Sequence, residues 1–376
     1  MKTIVIGGGI VGLCTAWALR KQGVDVTVIE AGRVPCATAA SSDHHRLTRP
    51  FYGAAHGYAA RMPAAFDAFE TLFEDLPAPR GRYYVETGMV VTSRERGDYA
   101  DLSRQSLDRI GEPYTLLETE AEIAQRLPML EPEGITYAML ARGGALMADT
   151  ILRDLAFLLR STGVPVVELS PVTRLDTAEG IVHLASGDSL RADRVILCAG
   201  TGLSALLPGL NIPLTPRRTL IVYADPPADL ADAWAQAPGW IDLGGPTDYW
   251  GLPPVAGLPL KLGNGLMGRD DPDDSDRQIT RDEMIALRES YRGLFRDIDG
   301  FRLRWGQANY WMKAPEHRFI LRREGRVLAA SADSGHGFKF GALSGIDIAE
   351  AVVSDDVDGV AARMAGGDDG GDLVGR

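Results

Sequence analysis

Three glycines spaced Gly7-x-Gly9-x-x-Gly12, directly after the β-branched run Thr3-Ile4-Val5-Ile6, could hold a charged ligand. The first permits a tight turn, the second lets backbone approach a pyrophosphate, and the third lets a helix pack closely on a strand. A helix opening at Ile10 aims its free N–H groups and the positive end of its dipole at the phosphates. Glu30 closes the next apolar run, Val24 to Ile29, where a carboxylate can accept hydrogen bonds from ribose hydroxyls. Strand, glycine turn, helix and strand within about thirty residues make one βαβ unit. Its expected dinucleotide contacts are Gly7, Gly9, Ile10, Val11, Gly12, Glu30 and Ala31. The unit serves FAD or NAD; its place at the N-terminus and its single occurrence favour FAD.

These residues need a frame. A chain of 376 residues exceeds the roughly 250–300 that one hydrophobic core serves, so two structural domains are expected. Ile151, Leu155, Leu158 and Leu159 mark one face of a helix, with Asp149 as its N-cap and Gly163 at its end. Strand-like segments at 165–169 and 181–184, the apolar run Val195 to Gly200 and the run Arg326 to Ser331 continue the nucleotide-binding part. The stretches 78–141 and 214–315 are richer in aromatics, prolines and alternating patterns, as antiparallel strands are. The expected architecture is α/β, or α+β overall. A Rossmann-type FAD-binding domain is assembled from 1–77, 142–213 and 316–353. A mainly antiparallel β-sheet substrate domain is inserted as 78–141 and 214–315. Residues 354–376, with Gly366-Gly367-Asp368-Asp369-Gly370-Gly371, are expected to form a flexible tail.

A net charge of −12 repels phosphate backbones and anionic lipid, so neither nucleic acid nor a membrane surface is an expected partner. No apolar stretch reaches the roughly 18 residues that span a bilayer, and the N-terminus lacks the pattern of a signal peptide. Cys14, Cys36 and Cys198 are odd in number and lack CxxC spacing, which argues against disulfides or a zinc site and fits a reducing, cytoplasmic setting. Cys14 and Cys198 fall in apolar runs and are expected in the core. Asp270 to Asp276 carries five aspartates in seven residues without the spacing of a cation loop, so a solvated loop and no metal are expected.

Four segments resemble the D-amino-acid-oxidase-type flavoproteins, and within them the monomeric sarcosine oxidase and N-methyltryptophan oxidase branch. They are the glycine fingerprint, the loop Ser41-Ser42-Asp43-His44-His45-Arg46-Leu47-Thr48-Arg49-Pro50-Phe51-Tyr52-Gly53, the strand Pro259-Leu260-Lys261-Leu262-Gly263 and the run Ser334-Gly335-His336-Gly337-Phe338-Lys339-Phe340. The last is the most specific. Ala192 to Gly200 is similar to the family's strand leading to the flavin, and the resemblance runs from residue 1 to about 352.

The resemblance implies roles. Arg49 and Lys339 would hold the substrate carboxylate, the one with a planar fork and the other with a point charge. Lys261 would lie over the flavin ring and assist O2, whose reduction passes through an anion that a fixed cation stabilises. Arg46 would contact the flavin, where positive charge favours the reduced ring. His44 or His45 would sit nearby, with His45 taken as the contact, while His336 belongs to the flavin or substrate neighbourhood and counts with Lys261, Arg49 and Lys339 among the catalytic candidates. Val172, Ala199, Gly200, Gly335, Gly337, Phe338 and Lys339 complete the expected cofactor set, while Arg49, Trp250, Trp311 and Lys339 make the substrate pocket.

This chain departs from the branch in two respects, the flavin link and the pocket. Asn309 stands where the branch has the cysteine that ties the flavin covalently, so non-covalent FAD is expected. Gly265 replaces a histidine beside the substrate, and Trp250 and Trp311 replace tyrosines, so the pocket is rebuilt. The expected activity is FAD-dependent oxidation of the C–N bond of an amino acid or N-alkyl amino acid by a monomer, with O2 as acceptor. Alternatives are a dehydrogenase that delivers electrons to a quinone or carrier protein, and a flavin-binding partner protein without turnover.

Overall fold

The β-branched start of the chain runs extended as Lys2–Ile6 (β1), breaks at its glycines, and continues as the helix Ile10–Lys21 (α1) and the strand Asp25–Ile29 (β2). In this computed structural model, which describes residues 1–244 and 248–366, β1 is the centre of a six-stranded sheet. It pairs in parallel with β2 on one side and with Arg194–Leu197 on the other. Val166–Val167 extends the sheet beyond β2, and Val327–Ser331 with antiparallel Ile320–Glu324 extends it beyond Arg194–Leu197. The sequence order therefore reverses at β1, the point where open α/β sheets bind ligands at their carboxyl edge.

Both faces of this sheet are covered. α1 packs against the helix Gly341–Ser354, where a Cβ on Gly345 would lie 2.6 Å from Cys14 Cβ, so only glycine permits that approach. The opposite face buries Ile4, Ile6 and Leu197 against Val182 of a small antiparallel sheet formed by 172–176, 181–184 and 189–191. The segment 181–184 thus covers the parallel sheet rather than joining it.

The second large sheet has nine strands and is antiparallel except where Gly239–Ile241 meets Met89–Ser93. Side chains alternate across it with the period of two that strands impose. Leu220, Val222, Leu260 and Leu262 enter a core with Trp234, Trp240, Tyr291 and Phe295. Thr219, Ile221, Tyr223 and Lys261 therefore point to the other face, toward the parallel sheet. A short sheet of Arg46–Thr48, Gly144–Leu146 and Tyr84–Glu86 carries the Ser41–Gly53 loop across this gap.

Two expectations are corrected. Residues 357–364 form a helix whose Val357, Val360 and Met364 are buried, because their spacing makes one apolar face; residues 367–376 of the expected tail lie outside the described residues. Asp149 does not cap its helix: Met147 holds the N-cap position, without a side-chain bond, and Asp149 lies in the first turn. The aspartate run is held by bases: Arg217 and Lys313 bind Asp270 at 3.0 and 2.5 Å, and Arg269 pairs with Asp276. Among the described residues no helix is long and apolar enough to cross a membrane, and no group of three His, Cys, Asp or Glu could hold a metal.

Candidate active site

A cavity of about 840 Å3 runs from the Gly7–Gly9 turn, past Glu30 and Gly32, to a chamber lined by Arg49, Trp250, Trp311 and Lys339. That volume is near the upper end of small-molecule sites, roughly 300–1,000 Å3. At the β1 end Ser41 Oγ accepts from Ile10 N–H at 3.1 Å and satisfies one open donor of α1. Glu30 accepts from Gly8 N–H at 2.6 Å and Gly32 N–H at 2.8 Å, so its carboxylate fixes the turn as well as facing the cavity. Val11, Ala31, Ala199 and Gly200 complete this end.

Three expected contacts do not line the cavity. Gly12 lies under the turn, where any Cβ would collide with the Gly7 carbonyl, so its role is close packing. Val172 belongs to the small covering sheet and packs with the core around Val182 and Leu197. His45 is fully buried with its ring 5.8 Å from that of Tyr223, and its ring nitrogens have no hydrogen-bond partner. Burial, then the Lys261 charge, pushes the His45 imidazole down to about 3, so it stays neutral. His44 is half-exposed, its ring edge-on to Tyr223 and Trp305.

Midway along the cavity stands a buried charge cluster. Lys261 Nζ donates to Asp43 Oδ2 at 2.5 Å and to the His45 carbonyl at 2.8 Å. Arg46 Nη1 donates to the same Asp43 oxygen at 2.6 Å, and Tyr223 OH donates to Asp43 Oδ1 at 2.6 Å. Burial alone would raise the Asp43 carboxyl, but the Lys261 and Arg46 charges outweigh it and hold it well below the usual carboxylate range. Burial pulls the Lys261 ammonium down to about 8 against the Asp43 charge that supports it. Sequence reasoning singled out Lys261 and Arg46 and missed Asp43, although the Asp43-x-x-Arg46 spacing was a signal for an ion pair.

The far chamber gathers Arg49 and Lys339, 8% and 5% exposed. The Arg49 guanidinium lies 4.4 Å over the Tyr52 ring, and its Nε and Nη1 have no hydrogen-bond partner. Lys339 Nζ donates to the His336 carbonyl at 3.2 Å. Burial, then the Arg49 charge, pulls the Lys339 ammonium well below its ordinary value. His336 touches the cavity, but its ring is committed elsewhere: Nδ1 meets Tyr52 OH at 3.4 Å, Nε2 meets the His317 carbonyl at 3.1 Å, and Phe319 stacks at 4.6 Å. Burial keeps that imidazole neutral. Both ring nitrogens of this cavity-lining residue are thus occupied by protein partners.

Lys261 and Gly263 share one face of the strand Leu260–Asn264, Gly265 opens the turn that follows it, and the two glycines admit side chains from neighbouring residues. Trp250 covers Gly263, and a Cβ on Gly265 would collide with the carboxylate of Asp248. The space that the resemblance assigns to a histidine is therefore filled by an acid that sequence reasoning did not name. Trp311 lies on Gly335 and donates from Nε1 to Thr219 Oγ1 at 2.7 Å. Gly337 is held tight, because a Cβ there would collide with the Ala332 carbonyl, and Phe338 lines the wall beside it. Asp333, also unnamed from sequence, accepts from Met312 N–H at 3.0 Å, and burial pushes its carboxyl up to about 6.

A family model described as FAD dependent oxidoreductase matches residues 2–351. The chain belongs to this family. As an FAD dependent oxidoreductase it is a flavoprotein with relatives spanning nearly its whole length. Monomeric sarcosine oxidase of Arthrobacter sp. (strain TE1826) is 25% identical over 363 residues, covering 93% of this chain and 92% of the relative. N-methyl-L-tryptophan oxidase of Yersinia pestis (strain Pestoides F) is 24% identical over 355 residues, covering 91% and 92%. The solved structure of NikD, described as an unusual amino acid oxidase essential for nikkomycin biosynthesis, shares the fold with a TM-score of 0.79 at 21% identity, covering 97% of this chain and 96% of that one.

The residues present fit FAD. Gly9 leaves open backbone beside Ser41, where a Cβ would stand 3.2 Å from Oγ, and α1 points its N-terminus into the cleft. Arg46 and Lys261 supply positive charge further along. Of the thiols on the wall, Cys198 adjoins Gly7 and Cys36 adjoins Gly32, while Asn309 donates to the Ser42 carbonyl at 3.4 Å. No sulfur stands at Asn309, so acid precipitation is expected to release the yellow flavin into the supernatant. Colour retained on the washed pellet would show a covalent link.

Proposed function

We propose that this flavoprotein oxidises the C–N bond of an amino acid or N-alkyl amino acid to an imine, with O2 taking up the electrons and leaving as hydrogen peroxide. The FAD-binding part comprises 1–77, 142–213 and 316–353, and the substrate part 78–141 and 214–315. Bound FAD supplies the hydride acceptor.

The observation that carries this reading is the pair Arg49 and Lys339, two buried basic side chains on one chamber, with Nε and Nη1 of Arg49 unpartnered. A substrate carboxylate set between them satisfies the Arg49 donors and draws the Lys339 ammonium back up, since an adjacent anion favours the charged form. Asp248 lines the same chamber, where its charge acts on both Arg49 and Lys339. Trp250 and Trp311 wall the chamber and confine the substrate's orientation, and that positioning is the main contribution of the side chains. A neutral amine can lose hydride without a side-chain base, consistent with the committed ring nitrogens of His336. The ion pair of Lys261 with Asp43 favours a second reading, in which electrons leave to a quinone or carrier protein, because a lysine offset by a carboxylate stabilises a developing anion less.

Anaerobic mixing with a panel of primary, N-methyl and cyclic amino acids is the test. At least one is expected to bleach the flavin, and admitting air should restore the colour with one peroxide per turnover. Amines without an acid group that bleach it equally well would remove the carboxylate clamp.

A further inference from the structure

We propose that Asp43 is the positioning residue that fixes the place and charge of Lys261, binding it together with Arg46 so that the middle of the cavity keeps one net positive charge. The inference rests on the role proposed above for Lys261. Asp43 is 3% exposed and belongs to the loop before the Arg46–Thr48 strand, whereas Lys261 lies on the large sheet. Tyr223 is the cross-strand neighbour of Lys261, and the Tyr223 ring stacks on Trp305 of the next strand at 4.8 Å. One carboxylate therefore ties the loop to two adjacent strands.

Every acceptor position of Asp43 is used toward a charge or a fixed donor. Oδ2 takes Lys261 and Arg46, and Oδ1 takes Tyr223 OH and the His44 N–H at 2.8 Å. Two cations sharing a buried site without an anion repel, and each is disfavoured by desolvation. Asp43 removes that repulsion and leaves a surplus of one charge. The other groups around Lys261 do not compete for its proton. His45 is held neutral, the Tyr223 phenol is pushed up by burial and stays protonated, and Trp250 presents its ring 5.7 Å from Nζ. Arg46 is further anchored to the Ala40 and Ser42 carbonyls at 2.5 and 3.2 Å, so it cannot follow Lys261 if the lysine moves.

The test measures the midpoint potential of bound FAD from pH 6 to 10 and, on photoreduced enzyme, the rate of reoxidation by O2. In the wild type the potential should show a break at about 8 as Lys261 loses its proton, and Lys261→Met should lack it. Asp43→Asn removes the charge that supports the ammonium, so the break should fall by at least about one pH unit. Asp43→Ser, smaller and neutral, should move it the same way and serves if the asparagine variant does not retain flavin. A break that stays in place in either flavin-loaded variant overturns the proposal. If Lys261→Met reoxidises as fast as wild type while the break still moves on losing Asp43, the oxygen role of Lys261 falls and the positioning role stands. If reoxidation slows but the break does not move, the reverse holds.

Discussion

Replacing Arg49 with alanine is expected to raise KM for an amino-acid substrate by about 30-fold to several thousand-fold, with FAD still bound. The estimate takes the roughly 2–5 kcal/mol that follows removal of one partner from a buried hydrogen-bonded charge pair, at about 1.4 kcal/mol per tenfold. Its basis is geometric: the guanidinium is enclosed, lies over the Tyr52 ring and keeps two nitrogens open. Losing it also lifts the repulsion on Lys339, whose ammonium becomes easier to hold, so one cation remains to bind carboxylate and the loss stays finite. Arg49→Lys should recover only part of it, since an ammonium cannot make the two parallel bonds of a guanidinium. Steady-state kinetics with an amino acid and with its amide separate the effects. The amide should bind wild type and variant alike, and an equal KM rise for both substrates would mean that Arg49 shapes the chamber without reading the carboxylate.

Lys261→Met should leave flavin reduction under anaerobiosis within about tenfold of wild type and slow reoxidation by O2 at least about a hundredfold. A hundredfold is about 2.7 kcal/mol of transition-state stabilisation, a typical worth for one preorganised charge facing a developing anion. Methionine keeps the length of the side chain and its packing against Trp250, while Asp43 retains Arg46 and Tyr223 as partners. Stopped-flow absorbance follows each half-reaction separately. Slower reduction with unchanged reoxidation would make Lys261 a substrate ligand. No change in either would favour electron delivery to a quinone or carrier.

The parts of this fold that were legible in the sequence are those governed by neighbours in the chain. The βαβ unit announces itself because β-branched runs, a glycine turn and a closing acid lie within thirty residues. The helix at 357–364 was masked by the glycine-rich stretch after it, although Val357, Val360 and Met364 carry its apolar face. Asp43 was missed for a different reason: its partners Tyr223 and Lys261 are 180 and 218 residues away, and only the sheet brings them together. Gly265 could be recognised as a place where a bulky residue was missing. What entered the space came from Asp248, and a glycine does not record which neighbour it admits.

That arrangement ties positions together. Asp248 can keep its place only while residue 265 has no side chain, and Trp250 only while residue 263 has none. Sequences that diverged from this chain with the sheet intact should therefore change these positions in pairs. A side chain appearing at 265 should be accompanied by a smaller residue at 248, and one at 263 by the loss of the indole at 250. The chamber's contour can thus drift through coordinated exchanges on two paired strands and at their ends, without a change at Lys261, which shares the face of Gly263 one step along.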